Sequence, residues 1–401
     1  MASTWTFHSA AGIHFGPGAV EQLGPLAAKH GASKVMIVTD ATLAAAGIVD
    51  RVTAPLDKTI PNIEVFTGGQ PEPSLDLIEQ CVAQACAAEP DAIIAIGGGS
   101  NIDLAKVTAL RFTHGGSTRD YLGEDQVPGP IMPVFCLPTT AGSGSEVTGS
   151  AVLTDTENQI KVAILSNFLR PRVALIDPQL TISCPPKVTA DSGIDALVHA
   201  IEAYTAVDHT DLQIAQGEQP VFPGRNPMGD MVAAQCIQLV GRHLADAVAR
   251  PNDLPAREGM ALAATLGGLA FSNVCVALVH AMEYPLGGLV HCSHGQGNGL
   301  LLPYVMRFNL PTRIPEFARV AQWLGESTGG QPDSDAAQHA VTAVEKLNAR
   351  IGIPKSMSEI GVKASDIPVL AEKAFGIKRL MRLNPRTVAL NDIVNIYQQA
   401  L

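Results

Sequence analysis

The chain of 401 residues, 46% hydrophobic and 16% charged, has the composition of a globular protein with room for two cores. A formal net charge of −11 speaks against nucleic acid or an anionic membrane surface as a partner. The absence of a basic leader or an apolar run of spanning length, with seven cysteines scattered without CxxC spacing, predicts a cytoplasmic chain with reduced thiols and no membrane partner.

In chain order, a short strand is predicted near Gly12 to Phe15 and a helix over Ala19 to Lys29. Lys34 to Val38 (KVMIV) is a continuous apolar run ending at Thr39-Asp40 and leading into a helical segment from Ala41, the pattern of a buried parallel strand feeding a helix. Asn62 to Phe66 repeats the strand signal, and Gly68 to Ser74 forms a loop capping a helix from about Leu75 to Ala88. Asp91 to Ile96 is the next buried strand and runs into Gly97-Gly98-Gly99-Ser100 and a helix through about Phe112. Such alternation implies a parallel, doubly wound sheet whose ligand crevice lies beyond the carboxyl ends of its strands.

The glycine loop sits at that edge. Amides of Gly97 to Ser100 at a helix start can approach a pyrophosphate without a Cβ in the way, although the spacing is not GxGxxG and a tight turn explains the triplet equally well. Val134 to Leu137 is a further strand, and Thr139, Thr140 and Ser143 follow it in a loop that reads as a second wall of a nucleotide pocket. Ala151 to Thr154 and Lys161 to Leu165 flank a predicted hairpin turn, and Arg172 to Asp177 is the last strand. After Pro185-Pro186 only helical signals remain, which predicts an α/β domain over 1–182 and a helical domain over 183–401.

Two stretches of the helical half carry metal chemistry. Asp195 and His199, four residues apart, leave one face of a helix. In Leu278 to Pro303 (LVHAMEYPLGGLVHCSHGQGNGLLLP), His280 closes an apolar helical pattern, Pro285 to Gly288 reads as a break, and His294 precedes Gly295, so that two imidazoles would face each other across a turn. Asp195, His199, His280 and His294 form a one-carboxylate, three-imidazole set suited to Fe(II), Zn(II), Mn(II) or Ni(II).

Taken jointly, Gly97-Gly98-Gly99-Ser100 with Asp103, the run from Leu137 to Thr148, Gly193 to Leu197 with His199 to Glu202, and His280 with Pro285-Leu286-Gly287 and His294-Gly295 resemble the iron-containing (group III) alcohol dehydrogenase family. The resemblance runs in order over almost the whole chain. It implies an amino-terminal dinucleotide-binding α/β domain, an all-α carboxyl-terminal domain as in dehydroquinate synthase, a cleft between them, and a homodimer. It further implies Asp195, His199, His280 and His294 as ligands to Fe(II) or another divalent ion, and Gly97, Gly98, Gly99, Ser100, Asp103, Thr139, Thr140 and Ser143 as cofactor-contacting positions. Lys161 falls near the nicotinamide ribose.

Asp40, at the end of the first parallel strand, can accept from both ribose hydroxyls and would repel a 2′-phosphate, which favours NAD over NADP. The implied reaction is hydride transfer between NAD(H) and a small alcohol or aldehyde, or a hydroxy acid and its oxo acid. Hydroxyacid–oxoacid transhydrogenation, a metal-free maleylacetate-reductase-like reduction, a dehydroquinate-synthase-like lyase and a non-enzymatic NAD-binding scaffold are the alternatives. Where better-known relatives carry a proton-relaying histidine, this chain has Tyr284, whose hydroxyl is a poor base at neutral pH; His291 is the other candidate for that role.

Overall fold

The computed structural model describes residues 4–56, 59–158, 160–212 and 220–401. It divides into two compact units, His8–Cys184, and Pro185–Leu401 with residues 4–7.

The first unit is built on a six-stranded sheet. Its strands are β1 (Gly12–Phe15), β2 (Lys34–Val38), β3 (Asn62–Phe66), β4 (Ala92–Gly97), β6 (Val134–Pro138) and β9 (Val173–Ile176). They lie in the order β1-β9-β6-β4-β2-β3, and every pairing is parallel. The continuous apolar runs of β2, β4 and β6 follow from burial on both faces. Met36, Val38, Ile93, Ala95 and Cys136 point into one core with helices α4 (Leu75–Ala88) and α5 (Gly99–His114). Val35, Ile37, Ile94, Ile96, Phe135 and Leu137 point into the other, with α1 (Leu23–Lys29) and α3 (Ile48–Leu56). This period-two division leaves neither face to water, and each buried Ile or Val contributes about 1.5–3 kcal/mol.

The predicted helix over Ala19 to Lys29 begins as a 3-10 turn, Ala19–Gln22, and α2 (Ala41–Ala45) precedes α3. The expected hairpin is present as β7 (Ser150–Asp155) antiparallel to β8 (Ile160–Leu165). With β5 (Gly123–Glu124) it forms a separate small sheet. From β2 the chain goes to β3 on one side and then to β4 on the other. The topological switch, where open α/β sheets bind ligands, therefore lies between the ends of β2 and β4.

The second unit contains α6 (Pro186–Thr205), α7 (Pro227–Ala249), α8 (Leu254–Val274), α9 (Leu278–Val290), α10 (His294–Asn309), α11 (Ile314–Trp323), α12 (Asp333–Ile351), α13 (Ile367–Gly376), α14 (Lys378–Met381) and α15 (Leu390–Ala400). Helix α6 is its axle: every residue from Gly193 to Thr205 is buried. A helix enclosed on all sides must find partners for each polar side chain it carries. Among the described residues no single helix is long and apolar enough to cross a membrane.

The predicted break at Pro285 to Gly288 is not where the chain turns. Pro285 lies inside α9, and His280 stands near the start of that helix instead of closing the one before it. The bend falls earlier, between Val274 and Leu278, where α8 and α9 meet at 107°. Cys275 holds it with φ 129, a conformation that only glycine adopts without strain. Inside α9 the proline removes one backbone hydrogen bond, and the packed surroundings keep the helix continuous.

Candidate functional site

At the switch point of the α/β unit, the residues predicted to hold a dinucleotide come together. Asp40 caps α2, its Oδ1 accepting from the Leu43 amide at 3.0 Å, while its Oδ2 accepts from Asn101 Nδ2 at 2.8 Å. Asn101 also donates to the Ile96 carbonyl at 3.1 Å and so ties the end of β2 to the glycine loop after β4, a role that was not read from the sequence. Gly97 has φ +147, and a Cβ there would stand 2.2 Å from Asn101 Nδ2. Gly97→Ala is therefore expected to cost about 1–3 kcal/mol, read as a lower denaturation midpoint; an unchanged midpoint would show that the loop has space the contacts deny.

The second loop packs against the first. The Thr139 amide donates to the Gly97 carbonyl at 3.0 Å, and a Cβ on Gly99 would lie 2.8 Å from Ser143 Oγ. Ser100 Oγ accepts from the Glu72 amide at 3.2 Å, and Lys161 Nζ pairs with Glu72 Oε1 at 2.7 Å. Lys161 therefore reaches the same edge, where a carboxylate engages it.

Asp103 is turned inward. Its oxygens accept from Ser145 Oγ at 2.6 Å and from the Val152 amide at 2.9 Å. Buried Lys106 donates to Ser145 Oγ at 2.9 Å and to the Thr148 and Ser150 carbonyls at 3.0 Å. Burial pushes Asp103 up and Lys106 down, and each charge opposes the other's shift. This network fixes the second loop on α5, with Asp103 as its anchor.

In the helical unit, Asp195, His280 and His294 present one donor atom each, all within 4.8 Å of one another. Asp195 Oδ1 lies 3.9 Å from the Nε2 atoms of both His280 and His294. Ligands about 2.1 Å from a tetrahedral ion are about 3.4 Å apart, so a small contraction would close these donors on a cation. His199 stands beside the trio, with Nε2 3.7 Å from Asp195 Oδ2 and its ring stacked on His280 at 5.0 Å and on Phe271 at 4.2 Å.

Three residues absent from the predicted set complete the centre. His280 Nδ1 meets Glu202 Oε2 at 2.6 Å, and His294 Nδ1 meets Glu283 Oε2 at 2.5 Å. With each Nδ1–H donated to a carboxylate, both Nε2 lone pairs are left for the centre. Asn298 Nδ2 lies among the donors, at 2.8 Å from Asp195 Oδ1, 3.2 Å from His280 Nε2 and 3.1 Å from His294 Nε2. The positive end of that amide stands where a cation would, and Asn298 Oδ1, buried, has no hydrogen-bond partner among the described residues. The donor set and this substitution both fit a divalent ion. A spacing of three or four residues from a ligand on one helix face was the available signal: Glu202 from His199, Glu283 from His280 and Asn298 from His294.

Burial alone would raise the Asp195 carboxyl, but the imidazoles of His199, His294 and His280 and the Asn298 amide reverse this and hold it at about 2. The aspartate is thus an anion throughout the neutral range. Tyr284 is half-buried, its ring 5.9 Å from that of His294. His291 does not join the cluster. It is exposed, with φ 54, at the carboxyl cap of α9, where the left-handed turn sends the chain towards α10.

Comparison with known proteins covers nearly the whole chain. Residues 10–178 match the family described as iron-containing alcohol dehydrogenase, and residues 189–401 match the Fe-containing alcohol dehydrogenase family, C-terminal. The NAD-dependent methanol dehydrogenase of Bacillus methanolicus is 36% identical over 386 residues, spanning 96% of this chain and 97% of that protein. The 1,3-propanediol dehydrogenase of Citrobacter freundii is 38% identical over 392 residues, with 96% of each covered. The crystal structure of a 1,3-propanediol oxidoreductase superposes with a TM-score of 0.93 at 36% identity, over 99% of this chain and all of that one.

Proposed function

The chain belongs to the iron-containing alcohol dehydrogenase family, and we propose from that membership that it transfers a hydride between NAD(H) and a small alcohol or aldehyde at a divalent metal, most often Fe(II) in this family. The observation that carries the reading is the convergence of buried Asp195 and His280 with half-buried His294, both imidazole Nδ1 atoms being on carboxylates. A cation held by these residues, with His199 as the fourth ligand, supplies Lewis acidity towards a substrate oxygen, and bound NAD supplies the hydride acceptor.

The chain's own residues do the rest. Gly97 to Ser100 offer amides to a pyrophosphate, and Thr139, Thr140 and Ser143 wall the pocket. Asp103, which also anchors the second loop, and Lys161, which pairs with Glu72 at 2.7 Å, would stand on the cofactor side, Lys161 near the nicotinamide ribose. Asp195 stays ionised, Glu202 and Glu283 hold two imidazoles in the ligating tautomer, and Tyr284 offers a hydroxyl beside His294. No disulfide joins any of the seven cysteines, which suits a reducing, cytoplasmic setting, and the family's usual homodimer is the assembly we expect.

Anaerobic purification with metal analysis, followed by assay of small alcohols, aldehydes and hydroxy acids with NAD and NADP, tests this reading. One ion per chain with NAD-linked turnover supports it. Metal-free turnover, or stoichiometric ion without turnover on any of these substrates, would overturn it.

Cofactor choice gives a separate prediction at Asp40. Asp40→Ser keeps an oxygen to cap α2 while removing the charge that opposes a 2′-phosphate. The ratio of kcat/KM for NAD over NADP is expected to fall about tenfold or more, equivalent to about 1.4 kcal/mol. An unchanged ratio would place the selectivity elsewhere.

A further inference from the structure

Glu283 is fully buried on α9, three residues beyond His280, and its Oε2 meets His294 Nδ1 at 2.5 Å. The other oxygen, Oε1, has no hydrogen-bond partner among the described residues. A buried carboxylate with a single anchoring hydrogen bond is costly to a fold, and replacing such a group with an apolar one of equal volume is often neutral or stabilising. A carboxylate at this position therefore calls for a role other than stability.

The surroundings make room for it. On α10, a Cβ at Gly297 would come within 2.8 Å of Glu283 Cγ and 3.2 Å of Oε1, so the space the carboxylate occupies depends on a glycine there. The arrangement also repeats that of Glu202. That carboxylate takes His280 Nδ1 at 2.6 Å, but it is braced by the Val279 amide at 2.6 Å as well. His294 is the more exposed of the two imidazoles, with a third of its side chain accessible against 3% for His280, so less packing holds its ring.

We propose that Glu283 is a positioning residue for the metal centre. By accepting from His294 Nδ1 it fixes the tautomer and the plane of that imidazole, keeping Nε2 as a donor to a divalent cation. The inference rests on the metal-site reading above. Helix α9 thereby contributes twice, once with the imidazole of His280 and once with a carboxylate that aims the first residue of α10. Outer carboxylates of this kind typically change metal affinity 10–100-fold when removed.

The test is Co(II) and Zn(II) affinity, by chelator competition on the full chain stripped of metal, for the parent, Glu283→Met and Glu283→Gln. Methionine fills the volume without accepting a hydrogen bond, whereas glutamine keeps an acceptor oxygen without the charge. Glu283→Met is expected to bind about 10–100-fold more weakly, with the apo melting temperature unchanged or raised and the Co(II) visible spectrum altered. Glu283→Gln is expected to recover most of the affinity, to within about fivefold of the parent, with the parent's spectrum. Parent-like affinity in Glu283→Met, or a Glu283→Gln loss as large as that of Glu283→Met, would overturn the proposal, as would an affinity loss that merely tracks a fall in apo melting temperature. A parent that binds no ion at all would instead remove the metal-site reading.

Discussion

His280→Ala is expected to abolish metal binding and turnover together while leaving NAD binding intact. Its Nε2 is one of three donors within 4.8 Å of one another, and its loss leaves Asp195 and His294 with only the flanking His199. The change also strips the buried Glu202 carboxylate of its imidazole, leaving the Val279 amide as its hydrogen-bond donor among the described residues. An uncompensated buried anion costs several kcal/mol and makes the pocket a worse host for the remaining ligands. Metal content should fall to about a tenth of the parent's or less, and kcat by about 10³-fold or more, since a Lewis acid supplies several kcal/mol of transition-state stabilisation. The Kd for NAD should stay within about twofold, because Asp40, the glycine loop and its opposing wall belong to the other compact unit. Metal analysis, stopped-assay turnover and nucleotide titration check the three parts. Full turnover in His280→Ala would remove the metal from the reaction scheme.

Gly295→Ala should be the most damaging single methyl group in the helical unit. Gly295 follows His294 in the first turn of α10, and a Cβ there would lie 1.9 Å from the Asp191 carbonyl oxygen and 3.2 Å from Asp195 Cβ. No rotamer relieves a clash with backbone, so α10 must move away from α6. That movement separates His294 from Asp195, whose contact across the two helices is what forms the centre. A destabilisation of about 3 kcal/mol or more is expected in chemical denaturation, together with about 10–100-fold weaker metal binding. Parent-like stability with normal metal content would mean that the two helices need not approach so closely.

The class of the fold and most of its parallel strands could be read before any coordinates, because burial on both faces writes KVMIV and AIIAI as unbroken apolar runs. The pairing of Asp195 with His199 was legible for a similar reason, since helical periodicity alone puts positions four apart on one face. Local pattern misplaced the turn before His280. Proline at 285 reads as a breaker, yet the surrounding helices hold α9 together through it, and the strained Cys275, which carries no breaker signature, makes the bend. Nor does local pattern show that the Ser145 hydroxyl and the Val152 amide, 42 and 49 residues further along, meet the two oxygens of Asp103.

The residues around the ligands depended most on packing. Helical spacing puts Glu202, Glu283 and Asn298 on ligand-bearing faces, but that Glu283 reaches His294, Glu202 reaches His280 and Asn298 reaches Asp195 depends on how α9 meets α10, α9 meets α6 and α10 meets α6. Sequence alone determined which side chains could ligate and which segments could form strands, since both depend on residue type and short-range period. Only the tertiary structure decided which of those side chains meet and which hydrogen-bond partners are left to them, because partners distant in the chain compete for the same buried lone pairs.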